Sequence, residues 1–272
     1  MWEILLPIFG FLVGIAASMV GIGGGTFFVP ILIIIYSFSP TQLATGTSLT
    51  AIIFTAIAAT TNYWRQKRIY FKTGLVLAVT TVPGAVAGAF LANVLESHTL
   101  AFIFGFFLIF MAARIMVDLN KLRSKSSAPQ ESPRQAHIKA DAEILKSQKT
   151  IALGAGLSFF GGLASGLLGI GGGVLVVPIM MFAMDVPIHI ATATSMFTMV
   201  FTSIAAVPKY YVESHIDMGY ALLIAVGSIF GAQVGAYTSR RVSGKNLRRI
   251  FAVLLIIVGL KMLIDNRMVL GF

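Results

Sequence analysis

Long apolar stretches separated by short polar ones run the length of this chain. Stretches near 20 residues suffice for a helix rising 1.5 Å per residue to cross a hydrocarbon core of about 30 Å. They lie at 41–63, 74–95, 99–118, 187–211, 218–238 and 249–265 and predict six membrane-spanning helices. Two further apolar stretches, 4–36 and 150–184, are each broken near the middle by the same run, Gly-Ile-Gly-Gly-Gly, at 21–25 and 169–173. Each run is followed four residues later by Val-Pro.

The chain is a duplication. An offset of 148 relates Gly21 to Gly169 and Pro30 to Pro178, and an offset of 147 relates Pro40 to Pro187, Gly84 to Gly231 and Asp118 to Asp265. A deletion near position 37 and a local slip around 66–82 are expected between the copies. The pattern predicts an all-α polytopic membrane protein of two repeats, 1–118 and 150–272, joined by a linker at 119–149. Internal repeats broken by glycine at matching places point to a transporter core, because discontinuous helices offer backbone groups to a substrate. Residues 4–20 do not read as a secretory leader: Glu3 stands where a positive region belongs, and 152–168 occupy the matching place in the second repeat.

Composition supports a lipid environment. Of the 272 residues, 57% are apolar and 11% charged, against about 25% charged in ordinary soluble domains. There is no cysteine, which excludes disulfides, thiolate metal sites and thiol catalysis. The net charge of +10 sits in short loops and the linker, so it speaks for topology and not for nucleic acid.

Loop charges reverse between the repeats. Loop 65–72 carries Arg65, Lys67, Arg68 and Lys72, whereas its counterpart 212–217 has Glu213 and Asp217 and no base. Loop 92–99 holds only Glu96, whereas 239–249 holds Arg240, Arg241, Lys245, Arg248 and Arg249. Lys and Arg are retained on the cytoplasmic side. Loops 65–72 and 239–249 and the basic linker are therefore expected inside, and both termini outside. The halves would be inserted in opposite senses, each as three full spans plus a short or re-entrant glycine-broken hairpin whose tip reaches toward the midplane. The linker is read as a solvated connection, with a phosphate or anionic-lipid contact as its alternative.

Candidate chemistry clusters at the repeated positions. Gly21, Gly23, Gly24 and Gly25, with Gly169, Gly171, Gly172 and Gly173, remove side chains and permit positive φ. Helices starting at Thr26 and Val174 would then present free N–H groups and a helix dipole to an anion. Close helix packing is the alternative. A second pair, TQLATGTSLT at 41–50 and HIATATSMFT at 189–198, places Thr45, Thr47 and Ser48 opposite Thr192, Thr194 and Ser195. These hydroxyls either bind oxyanion oxygens or bond back to helix carbonyls. Lys209, equivalent to Asn62, is read as lacking a nearby acid: a functional buried ammonium or a snorkelling one. Gln233 is read as facing a cavity, His189 as interfacial, and Gly84/Gly88 and Gly231/Gly235 as packing surfaces. No Walker lysine, Rossmann context, metalloprotease motif or nucleophile motif is present, so neither nucleotide binding nor catalysis is expected. No metal or cofactor is expected either.

The duplicated glycine run before Val-Pro, the paired Thr/Ser clusters and the basic central linker resemble the TauE/SafE sulfite exporter family, also called the 4-toluene sulfonate uptake permease family. The resemblance covers essentially the whole chain. It implies a bacterial inner-membrane carrier of sulfite, sulfoacetate or another organosulfonate, and it carries substrate contact onto residues 21–26 and 169–173. Export is the expected direction, with sulfonate import, an anion channel and a membrane scaffold as alternatives. The partners expected are a small anionic substrate and the bilayer; self-association is left open.

Overall fold

The structure, a computed structural model, describes residues 5–92 and 148–265 and scattered helical positions between 105 and 117. The linker up to residue 147 and most of the span expected at 99–118 lie outside the described residues. Every regular element among the described residues is a helix. They are α1 (Leu6–Val20), α2 (Gly25–Ile34), α3 (Thr41–Arg65), α4 (Phe71–Leu91), α5 (Gln148–Leu168), α6 (Gly173–Phe182), α7 (Ile188–Val212), α8 (Met218–Ser239) and α9 (Gly244–Asp265).

Five of these are long and apolar enough to cross a membrane: α3, α4, α7 and α8, as the pattern predicts, and the 150–168 part of α5. The last makes the first arm of the second glycine-broken stretch longer than the short hairpin expected there. α1, with 15 residues, reaches about 22 Å, but α5, with 21, reaches about 31 Å. Two of its six extra residues are Gln148 and Lys149, which were assigned from sequence to the linker and already belong to its first turn. No slip separates the copies near 66–82: α4 and α8 open at Phe71 and Met218, still 147 residues apart.

The packing exchanges partners between the halves. α1 packs most extensively on α8 and α4 on α5, while α3 contacts both α7 and α8, and α7 contacts both α3 and α4. The first two pairs meet backbone to backbone. A Cβ at Gly227 or Gly231 would fall on the carbonyls of Pro7 or Phe11, and one at Gly84 or Gly88 on those of Phe159 or Leu163. The small-residue pairs are thus packing surfaces, as their spacing predicts. In both pairs the contacts advance together along the two helices, so α1 runs parallel to α8 and α4 to α5. α3 and α7 run antiparallel: Gly46 meets Tyr210, while Ile57, Thr61 and Trp64 line a groove with Phe197 and Phe201.

Hydrogen bonds repeat the exchange. The buried Tyr63 hydroxyl donates to the Ser18 carbonyl at 2.7 Å, and its equivalent Tyr210 to the Gly166 carbonyl at 2.6 Å. The Thr55 hydroxyl meets that of Ser228 at 2.7 Å, and the Thr202 hydroxyl that of Thr81 at 3.3 Å. The Gln233 amide donates to the Ala58 carbonyl and accepts from Asn62, so it joins α8 to α3 and does not front a cavity.

The two ends of the bundle differ in charge. Arg68 donates to the Ser239 hydroxyl at 3.1 Å, which fastens loop 66–70 to the end of α8 beside Arg240 and Arg241. Burial pulls the Arg68 guanidinium below its ordinary range, an effect the Tyr63 ring opposes and Arg240 adds to. His189, in the first turn of α7 against Gly244, lies at this same end and is partly buried. At the other end the Asp217 N–H donates to the Thr47 hydroxyl, and Gln42 donates to the Ala92 carbonyl.

Candidate anion site at the crossed glycine loops

Each glycine run stops one helix and starts the next with the same backbone. Gly21 closes α1 in the left-handed region (φ 85°), and Gly169 follows α5 with φ 70°. Gly23 and Gly24, at φ 88° and 84°, then turn the chain into α2, as Gly171 and Gly172, at φ 81° and 77°, turn it into α6. L-residues with a Cβ avoid this region, and three such positions within four residues explain why the run is glycine.

The loops cross. A Cβ on Gly25 would land on the Gly169 carbonyl, and one on Gly173 would land on the Gly21 carbonyl. Both loops are buried throughout, at residues 21–26 and 169–174. They meet between Ile52 and Met199, near the middle of the 25-residue helices α3 and α7. The Met199 thioether lies against Gly23 and Gly173 and within 2.9 Å of the Cβ position of Gly171; Ile52 closes on Gly25 and Gly171. The sequence reading missed these two side chains, which look like ordinary core residues of apolar helices.

The hydroxyl clusters divide into two jobs. Ser195 donates to the Gly21 carbonyl at 2.7 Å and Ser48 to the Gly169 carbonyl at 3.1 Å, while Thr192 donates to the Val20 carbonyl at 3.3 Å. Each half therefore supplies the donors that occupy the loop carbonyls of the other. Thr45 and Thr192 press their Cα and methyl atoms against Gly169 and Gly21. Thr47 and Thr194 accept from the N–H groups of Asp217 and Tyr70, at 2.9 and 3.0 Å, and so hold the loops that open α8 and α4.

With those carbonyls occupied, the donors stand out. The Gly24 carbonyl accepts from Phe27 and Phe28, and that of Gly172 from Leu175 and Val176. The N–H groups of Gly23, Gly24, Gly25 and Thr26, and of Gly171, Gly172, Gly173 and Val174, find no acceptor among the described residues. The Thr26 hydroxyl, 6% exposed, also has no partner. Buried N–H groups are nearly always satisfied, and free N–H groups in left-handed turns at helix N-termini are suited to an oxyanion.

Lys209 does not join them. Its ammonium pairs with Glu213, four residues on, which is the acid missed in the sequence, and it lies 4.8 Å over the Phe90 ring. Ten residues of helix, about 15 Å, separate it from Met199. The structure thus gathers Gly21–Thr26, Gly169–Gly173, Thr45, Ser48, Thr192 and Ser195 around one crossing, and leaves Thr47, Thr194 and Lys209 outside it.

Known membrane transporters resemble this chain along nearly its whole length. The family model Sulfite exporter TauE/SafE matches residues 6–262. The chain is 30% identical over 269 residues to the probable membrane transporter protein YunE of Bacillus subtilis, covering 97% of this chain and 98% of that one. It is 29% identical to a probable membrane transporter protein of Methanocaldococcus jannaschii, over 96% and 95% of the two chains. A probable membrane transporter protein of Xylella fastidiosa is 28% identical over 92% and 91%. No solved structure matches.

Proposed function

The chain belongs to the TauE/SafE sulfite exporter family of membrane transporters, and we propose that it is a secondary transporter exporting a small sulfur oxyanion, sulfite or an organosulfonate such as sulfoacetate. The observation that carries this reading is the pair of crossed glycine loops in the middle of the bundle, with eight backbone N–H groups that have no partner among the described residues. A sulfite or sulfonate group offers three oxygens as acceptors. Fixed N–H donors disperse its charge without a buried ammonium, whose desolvation is expensive.

In this reading the halves are inverted repeats in the inner membrane, with the linker and basic loops facing the cytoplasm. Three observations support the inversion: the equivalent helices α3 and α7 run antiparallel, the interhalf hydrogen bonds are reciprocal, and the basic loops gather at one end. The parallel pairs α1/α8 and α4/α5 support a reading in which each glycine hairpin enters and leaves at one end of the bundle, the two hairpins from opposite ends. Alternating access then amounts to rocking one half against the other about the loop crossing. Met199 and Ile52 cover the donors in the closed arrangement.

The test is stabilisation of the purified protein in detergent, followed by flux in proteoliposomes. A ligand at 100 times its Kd adds about 2.7 kcal/mol. Sulfite or a sulfonate should raise the melting temperature selectively over acetate and sulfate, and flux should saturate with substrate. Flux rising linearly with concentration would replace the carrier by a channel. No selective shift by any sulfur oxyanion would remove the substrate assignment.

A further inference from the structure

Ser165 lies on the last turn of α5, four residues before Gly169, whose N–H donates to the Ser165 carbonyl at 3.0 Å. Its side chain is fully buried, at 0% exposure, and its hydroxyl has no hydrogen-bond partner among the described residues. It faces the second glycine loop: the Ser165 Cβ and Oγ lie 3.4 and 3.7 Å from the point where a Cβ on Gly172 would stand. A serine or threonine within a membrane helix ordinarily satisfies itself on the carbonyl one turn back. Thr50, Thr55, Thr61, Thr198 and Thr202 all do so here, whereas Thr60, Ser158 and Ser203, like Ser165, do not; of these four it is Ser165 that stands against a loop glycine. Ser165 leaves the Gly161 carbonyl unused by its hydroxyl.

We propose that Ser165 is a substrate-binding residue, whose hydroxyl donates to an oxygen of a small oxyanion held by the N–H groups of Gly171 to Val174 at the start of α6. The proposal rests on the anion reading of the loops and adds a side chain to it. It also makes the two loops unequal. Position 17, equivalent to Ser165, is alanine, and position 174, equivalent to Thr26, is valine. Each loop therefore carries one unpartnered hydroxyl, placed before the glycines in the second loop and after them in the first. The two halves do not offer the anion interchangeable sites, and its oxygens are met by different hydroxyls as the halves rock.

The test separates this role from a structural one through two readouts with opposite signs. A buried hydroxyl without a partner destabilises the protein that carries it, whereas a hydrogen bond to a charged group strengthens binding tenfold or more. Ser165→Ala should therefore melt at or above the wild-type temperature without ligand, and bind sulfite about tenfold or more weakly. Ser165→Cys, with a weaker donor of similar size, should bind with intermediate affinity. Wild-type protein titrated with sulfite is the reference, with methanesulfonate as a second probe. If neither anion stabilises the wild type, the anion reading of the loops falls and the proposal with it. If the wild type binds and Ser165→Ala binds equally well, the anion reading stands and the assignment of Ser165 is overturned. A marked fall in the melting temperature of Ser165→Ala, or its failure to fold, also overturns it, because the hydroxyl would then be satisfied within the protein.

Discussion

A single methyl group is the smallest probe of the crossed loops, and the structure ranks where it is tolerated. At Gly173 the new Cβ would strike the Gly21 carbonyl and the Met199 methyl, so Gly173→Ala must move one loop off the other. At Gly172 the nearest atoms are 3.4 Å away, so alanine fits and meets only the strain of φ 77°, about 1–2 kcal/mol. At Gly156 nothing lies within 4 Å, and alanine there improves helix propensity by up to about 1 kcal/mol. Melting temperatures in detergent should therefore fall most for Gly173→Ala, modestly for Gly172→Ala, and not at all for Gly156→Ala. Sulfite binding should be lost with the first, weakened with the second and kept with the third. Equal behaviour of Gly173→Ala and Gly156→Ala would contradict the crossing. The glycines were legible in the sequence because a repeated run in an apolar setting asks for a shared backbone shape. The partners of the hydroxyls were not. Ser48 and Ser195 donate to loop carbonyls more than 120 residues away in sequence, and nothing local separates them from Thr50, which bonds one turn back.

Between elements, the buried tyrosines are the clearest ties that sequence could not announce. Tyr63 joins α3 to the end of α1 and also meets the Ser239 hydroxyl of α8, whereas the Tyr210 hydroxyl joins α7 to α5. Removing a phenol hydroxyl leaves a helix carbonyl short of one acceptor bond and costs about 0.5–1.5 kcal/mol. For a chain of this size that amounts to roughly 1–6 °C. Tyr210→Phe should lower the melting temperature by that amount and Tyr63→Phe by more, since it frees two partners. Both variants should keep sulfite affinity, because neither hydroxyl touches the loops. Helix existence was readable from apolar length alone, and α3, α4, α7 and α8 fall within a few residues of their expected spans. The length of α5 was not, because Gln148 and Lys149 are polar and helical at once, and hydropathy marks where lipid begins, not where a helix does.

Across the whole molecule, the segregation of charge converts packing into orientation. Arg68 bonds to Ser239, so the basic loop of the first half and the basic loop after α8 share one end, while loop 213–217 shares the other with the start of α3. Sequence alone paired these loops by sign; the hydrogen bonds pair them by contact, through independent physics. In the proposed orientation, retention of Lys and Arg on the cytoplasmic side puts the first end toward the cell interior. The absence of cysteine makes this directly measurable, since any introduced thiol is the only one in the chain. Lys67 is exposed in the α3–α4 loop, Arg241 follows α8, Ser39 is exposed before α3, and Ser214 is exposed between α7 and α8. In intact cells a membrane-impermeant maleimide should label Ser39→Cys and Ser214→Cys, and should label Lys67→Cys and Arg241→Cys only after the membrane is opened. Labelling of all four in the reverse pattern would keep the two ends and invert the orientation. Labelling of Lys67→Cys and Arg241→Cys from different sides would break the pairing of the halves itself, and with it the rocking motion that alternating access requires.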